Sequence, residues 1–233
     1  MPRVAGAIVP AIAALLISTP AGAQSSPSSS PGPYVIDIRA PMSGVPLDSA
    51  FHPDLPANAL LPRRGFGVGV GGHVYLASLG IARIGAGVDL VRVRGAVATP
   101  VATTTSSTTT ATKSTSALSA TDQIDAETTI TAIAPQVSFN FGTRDGWSYL
   151  SAGYGAAEIR SSASGTPLGP LTGKVTLVRD DGRAAAINYG GGARWFIRGR
   201  LAVGFDLRFH RLAAAGTRPG TKLTVLSAGV SLR

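Results

Sequence analysis

Seven charged side chains stand out by their surroundings: Asp37, Arg39, Arg83, Asp89, Arg194, Asp206 and Arg208 each sit among glycines and apolar residues in stretches of alternating polarity. Both signs are present, and His210 shares the same parity more loosely. Carboxylates and guanidiniums on one face of such stretches make charge-assisted pairs, which is structural chemistry rather than catalysis. The histidines, His52, His73 and His210, show no metal-ligand spacing, and without cysteine there is neither a thiolate site nor a disulfide. No metal and no cofactor is expected.

A nucleophile, base and acid can be assembled on paper from Ser161 or Ser162, His210 and Glu158, all expected near one rim. Serine is so abundant here that chance produces such a grouping, and no catalytic residue is assigned. The run Gly67-Val68-Gly69-Val70-Gly71-Gly72 has no following Lys-Ser/Thr and no helix to present N–H groups, so it is not a phosphate loop. Its glycines read as room in a crowded interior.

The elements that must position these side chains are strands. GFGVGVGGHVYL, residues 65–76, carries Phe66, Val68, Val70, Gly72, Val74 and Leu76 on one parity and Gly67, Gly69, Gly71, His73 and Tyr75 on the other. The same alternation sets Ile84, Ala86, Val88 and Leu90 against Arg83, Gly85, Gly87 and Asp89. It recurs in TITAIAPQVSFNF, where Pro135 predicts a bulge or bend, and in WSYLSAGYGAAEI, AAINYGGGARWFI, LAVGFDLRFHRL and KLTVLSAGVSLR. From the Phe66 strand onward the connections run short, long, short, long, short, medium. Outer-membrane barrels place short turns in the periplasm and long loops outside, and bacterial ones have an even strand number. The seven clear strands therefore need an outward-running partner before Phe66, and Tyr34 to Arg39 supplies it. The prediction is an all-β fold, an eight-stranded antiparallel up-and-down transmembrane β-barrel at residues 34–233, with long loops at about 40–64, 97–128 and 160–183 and both termini periplasmic. A short hairpin is conceivable around KVTLVRDDGR within the last loop.

Which face meets lipid follows from composition. A soluble eight-stranded barrel fills its interior with large apolar groups, whereas here the less apolar face is mostly Gly, Ser, Asn, Asp and Arg. Placing that face outward would put cations in hydrocarbon at about 2–4 kcal/mol each, so the seven charges are assigned to a salt-bridged lumen. Tyr34, Tyr75, Tyr149, Trp147, Trp195, Phe66 and Phe141 lie near strand ends, as interface aromatics would. No mature stretch offers the unbroken apolar run of a spanning helix. Residues 1–23, MPRVAGAIVPAIAALLISTPAGA, read as a cleaved signal ending at Ala21-Gly22-Ala23, and 24–33 as a low-complexity tether. Without a cysteine at the expected cleavage point, a lipoprotein is not expected.

The pattern resembles the broad family of small bacterial outer-membrane β-barrels, the OmpA-like and opacity-protein-like group, over roughly residues 34–233, most clearly in GFGVGVGGHVYL and NYGGGARWFIRGRLAVGFDLRFH. Many members end on an aromatic residue, whereas this chain ends Ser231-Leu232-Arg233. The resemblance implies a structural or surface-interaction protein in the cell outer membrane, a monomer without catalysis, its loops meeting surface polysaccharide or another external ligand. Porin-like passage of small solutes or ions is the alternative, followed by an enzyme and then a soluble periplasmic binding protein. The net charge of +9 suits anionic lipid or polysaccharide. Its basic residues are dispersed rather than gathered in a tract, so nucleic acid is not an expected partner.

Overall fold

The computed structural model describes residues 32–56, 59–100, 121–142, 145–167, 174–198 and 200–233. Eight strands, β1 (Tyr34–Gly44), β2 (Arg64–Leu79), β3 (Ala82–Pro100), β4 (Thr121–Gly142), β5 (Gly146–Pro167), β6 (Val175–Arg198), β7 (Leu201–Leu212) and β8 (Thr221–Leu232), pair antiparallel in chain order, and β1 closes the barrel on β8. This is the fold expected from the alternation. The signal segment, the tether up to residue 31 and the Thr/Ser-rich tract at 101–120 lie outside the described residues. At one end the turns are tight, and Gly80 takes φ 56° between β2 and β3, a conformation that costs a side-chain-bearing residue energy. The longer connections gather at the other, loop end.

The two faces are sorted as the lipid argument requires. Val68, Val88, Phe205 and Val230 are 60, 46, 48 and 43% exposed, while Asp89 and Arg194 are 2 and 3% exposed. On β3 from Ala82 to Leu90, β4 from Ile133 to Phe141, β5 from Ser148 to Ala156, β7 from Leu201 to Phe209 and β8 from Thr224 to Leu232, the outward positions carry no charge over nine residues. A tilted spanning strand needs about 9–11. On these strands the band ends along one pairing row, because Leu90 lies opposite Ile133, Ile133 opposite Ala156 and Ala156 opposite Ala185. One step further out, the outward row becomes Arg92, Thr131, Glu158 and Arg183.

Beyond that row the polarity of the wall inverts. Outward positions become Arg94, Glu127 and Arg160, and the inward ones become Val93, Ile130 and Ile159. This is the polarity of a soluble barrel, the one expected where water rather than lipid meets the wall. Much of the expected loop sequence is therefore strand: residues 97–100 and 121–128 belong to β3 and β4, and 160–167 and 175–183 to β5 and β6. The loop expected at about 40–64 is shortened likewise, since β1 runs to Gly44 and β2 begins at Arg64. KVTLVRDDGR is not a hairpin. Asp181 and Gly182 face the single residue Ile159, with Gly182 at φ 73°, so the Asp-Asp-Gly sequence makes a bulge within β6. Pro135 causes no register shift, pairing in register with Val88.

Candidate functional site

The barrel axis carries three stacked layers. Nearest the turn end, Trp147 and Tyr149 are buried with Val35, and Tyr75 and Phe196 pack against them. Trp147 lies 4.9 Å from Phe196 and meets Tyr75 edge-on at 6.3 Å, centroid to centroid. This corrects the expectation that Tyr75, Trp147 and Tyr149 belong to an interface girdle. They occupy the lumen parity, and Tyr34, Phe66, Phe141 and Trp195 are the ones that face outward.

The middle layer is the charge network. Arg194 donates from Nε and Nη2 to the Asp37 carboxylate at 2.8 and 2.6 Å, its Nε also reaches Ser231 Oγ at 3.1 Å, and its guanidinium stacks 4.0 Å from the Tyr149 ring. The Ser231 hydroxyl donates to Asp37 at 2.5 Å. Beside this cluster, Arg39 pairs with Asp89 and reaches Asp206 at 3.3 Å. Arg208 stands 3.9 Å from Asp89 and donates to Gln136 Oε1 at 2.8 Å. Three carboxylates thus face three guanidiniums, all buried, and their charges sum to zero. Glycine supplies the room: a Cβ on Gly71 would stand 3.1 Å from Arg39 Nη2, and one on Gly204 3.1 Å from Arg194 Cγ. Six of the seven charges assigned to the lumen meet here. Arg83 does not. It is half-buried at the turn end, 5.7 Å over the Tyr75 ring, with Nε toward Ser78 Oγ at 3.3 Å and Nη1 toward the Gly32 carbonyl at 3.4 Å.

The outermost layer is apolar. Phe51, in a 3-10 turn over Ser49–Phe51, inserts among Val91, Val93, Ile130, Ile159, Leu212, Leu223 and Val225. The turn is capped by Asp48, whose carboxylate accepts from the Ala50 N–H at 2.9 Å. Next to it, the His52 ring bonds the Pro46 carbonyl through Nε2 at 2.8 Å, and burial lowers its pKa. Arg218 is buried over Phe51 at 5.8 Å, and burial lowers its pKa against the opposing pull of Asp181 and Asp180. A second small cluster, Ile124 and Ala163, packs against Leu55 and Ala59 of the β1–β2 connection. This inward-folded loop went unrecognised in the sequence, where Phe51 and Leu55, set between prolines, are the apolar residues that mark it.

Chemistry other than pairing finds little support. Ser161 is buried, with its hydroxyl 3.0 Å from Thr128 Oγ1, and His210 also faces inward, whereas Glu158 points outside toward Arg183 at 3.8 Å. The wall separates the acid from the base. No group of three metal-ligating side chains occurs among the described residues.

A closed eight-stranded sheet with an uncharged outer band and an ion-paired axis defines a small transmembrane β-barrel of the outer-membrane type. No protein-family model matches the chain, and no curated protein does. Among solved structures it is similar to Ail, the attachment invasion locus protein of Yersinia pestis, in complex with the heparin analogue sucrose octasulfate (TM-score 0.45, 10% identity, 85% of this chain and 95% of that one). It is also similar to Neisserial surface protein A (0.43, 14%, 85% and 96%) and to the outer membrane protease OmpT from Escherichia coli (0.42, 9%, 89% and 99%). Likeness at this level says nothing of activity or ligand.

Proposed function

We propose that this protein is a structural or surface-interaction protein of the outer membrane, in which the barrel is the anchor and the loop end does the recognising. The observation that carries this reading is the filled axis. An ion entering from the loop end meets Phe51 and its apolar neighbours, then a layer of three carboxylates and three guanidiniums whose charges sum to zero, then the Trp147 and Tyr149 floor. Apolar constrictions exclude water and the ions it carries, and eight strands enclose only enough space for side chains. With the tight turns on the periplasmic side, both termini are periplasmic. The described parts of the β1–β2 and β7–β8 connections then lie at the outer rim, toward surface polysaccharide or another external ligand.

Planar-bilayer recording of the refolded protein tests the reading, and no steady conductance is the expected result. Steady openings whose size changes on Asp206→Asn or Arg194→Gln would instead establish small-solute or ion passage along the axis.

A further inference from the structure

On the outer wall at the top of the band, β5 to β8 frame a groove of about 840 Å³ lined by Tyr154, Ile187, Arg211, Ala214, Gly220 and Lys222. Arg211 and Lys222 are directly opposed in the β7–β8 ladder, both exposed and both outward. Like charges in that position repel and destabilise the sheet. Elsewhere along the wall three cations have acidic partners, Arg94 with Glu127 at 2.6 Å, Arg183 with Glu158 at 3.8 Å and Arg160 with Asp180 at 3.1 Å, while the exposed Arg92 has none among the described residues but lies opposite the neutral Val68 and Thr131 rather than another cation. Arg211 and Lys222 have no acidic partner among the described residues. Directly below them the groove is apolar, since Arg211 is paired with Ile187, and Tyr189 is paired with Phe209 one step further into the band.

We propose that this groove binds a phosphorylated, acylated lipid of the surrounding leaflet, with Arg211 and Lys222 holding the phosphate and Tyr154 and Ile187 receiving the top of an acyl chain. The proposal rests on the reading that the uncharged band meets lipid. A phosphate removes the repulsion between the two cations and gains charge-assisted hydrogen bonds from both. Continuity of the groove with the band favours a lipid over a free anion, because the charged and apolar parts of one molecule then meet matching surfaces at once.

The test is native mass spectrometry of the full barrel refolded in neutral detergent and titrated with phosphatidic acid, phosphatidylcholine or inorganic phosphate. Phosphatidic acid is expected to be retained as a single adduct at least about tenfold more strongly than phosphatidylcholine, equivalent to about 1.4 kcal/mol. Arg211→Ser with Lys222→Ser should abolish that preference, whereas Arg160→Ser should leave it intact. Equal retention of the two lipids, or an unchanged preference in the double variant, overturns the proposal. So does competition by millimolar inorganic phosphate that displaces the lipid completely, which would mark a soluble-anion site. Heat-modifiable migration on gels is read in parallel. Its loss in the unmutated protein removes the barrel reading and this proposal together, whereas its retention without a charge-dependent lipid preference removes this proposal alone.

Discussion

Removing the Asp37 carboxylate while keeping Arg194 should cost more than removing both. In Asp37→Leu the Arg194 guanidinium loses bonds of 2.8 and 2.6 Å and keeps only Ser231 Oγ at 3.1 Å and the Tyr149 face. The two side chains are 4 and 3% exposed, so water neither screens the pair nor rescues the orphaned cation. Breaking a buried pair from one side costs about 3–5 kcal/mol, whereas replacing both partners with apolar groups of similar volume is close to neutral. Asp37→Leu with Arg194→Met should therefore recover most of the loss. The measurement is reversible urea unfolding of the refolded barrel in lipid vesicles, followed by Trp147 emission in a Trp195→Phe background. Trp147 lies opposite Arg194 in the β5–β6 ladder and reports its surroundings directly. A single-variant loss below about 1 kcal/mol, the range of exposed pairs, would show that the axis is wet, and strictly additive losses would show that the two groups are not coupled.

The same unfolding assay reads the edge of the band: Val88→Arg should cost about 2–4 kcal/mol and Thr131→Arg, one row outside Ile133, about 0–1 kcal/mol, and equal costs would misplace the boundary. Gly71→Val puts a side chain 3.1 Å from Arg39 Nη2 and 3.3 Å from Asp89 Oδ1. Overpacking of this kind costs about 1–3 kcal/mol, so the temperature at which the heat-modifiable gel shift occurs should fall; an unchanged temperature counts against a crowded lumen. His52 should make the rim acid-sensitive. Its pKa is lowered from the ordinary 6.5 by burial, so the neutral ring belongs to the folded loop, and its contribution is full above that ordinary value and lost as pH falls through the lowered one. Amide protection at Phe51 and His52, whose N–H groups bond Asp48 and Ser49 carbonyls at 3.0 and 3.1 Å, should fall at acid pH once the intrinsic slowing of exchange is divided out. His52→Gln should show only the intrinsic trend.

The spanning band was legible because lipid imposes one demand on every outward position, and period two makes that demand visible along Val68, Val88, Phe205 and Val230. The lumen membership of Asp37, Arg39, Asp89, Arg194, Asp206 and Arg208 came with it, since a charge on the opposite parity has nowhere else to go. Trp147 and Tyr149 obeyed the same parity. Expecting them in a girdle weighed residue type over position, and position prevailed. The strand extensions were hidden because their alternation continues with its sense reversed and with Thr, Ser and Ala in place of large side chains. Ile124, Ala126 and Ile130 keep period two while facing inward. The separation of Arg83 from the network depends on inter-strand register, which no single strand encodes.

One consequence of the charge layer concerns assembly. Arg39 meets Asp89 after only 50 residues, but Asp37 on the same first strand is 157 residues from its partner Arg194, and Asp206 is 167 residues from Arg39. Until the last strands arrive, those ions must stay hydrated, because an unpaired charge cannot be carried into hydrocarbon cheaply. Neutralisation of the interior and sealing of the sheet are thus a single late event. Contacts so distant along the chain form slowly, and the same interlocking makes the finished cylinder reluctant to open from its seam.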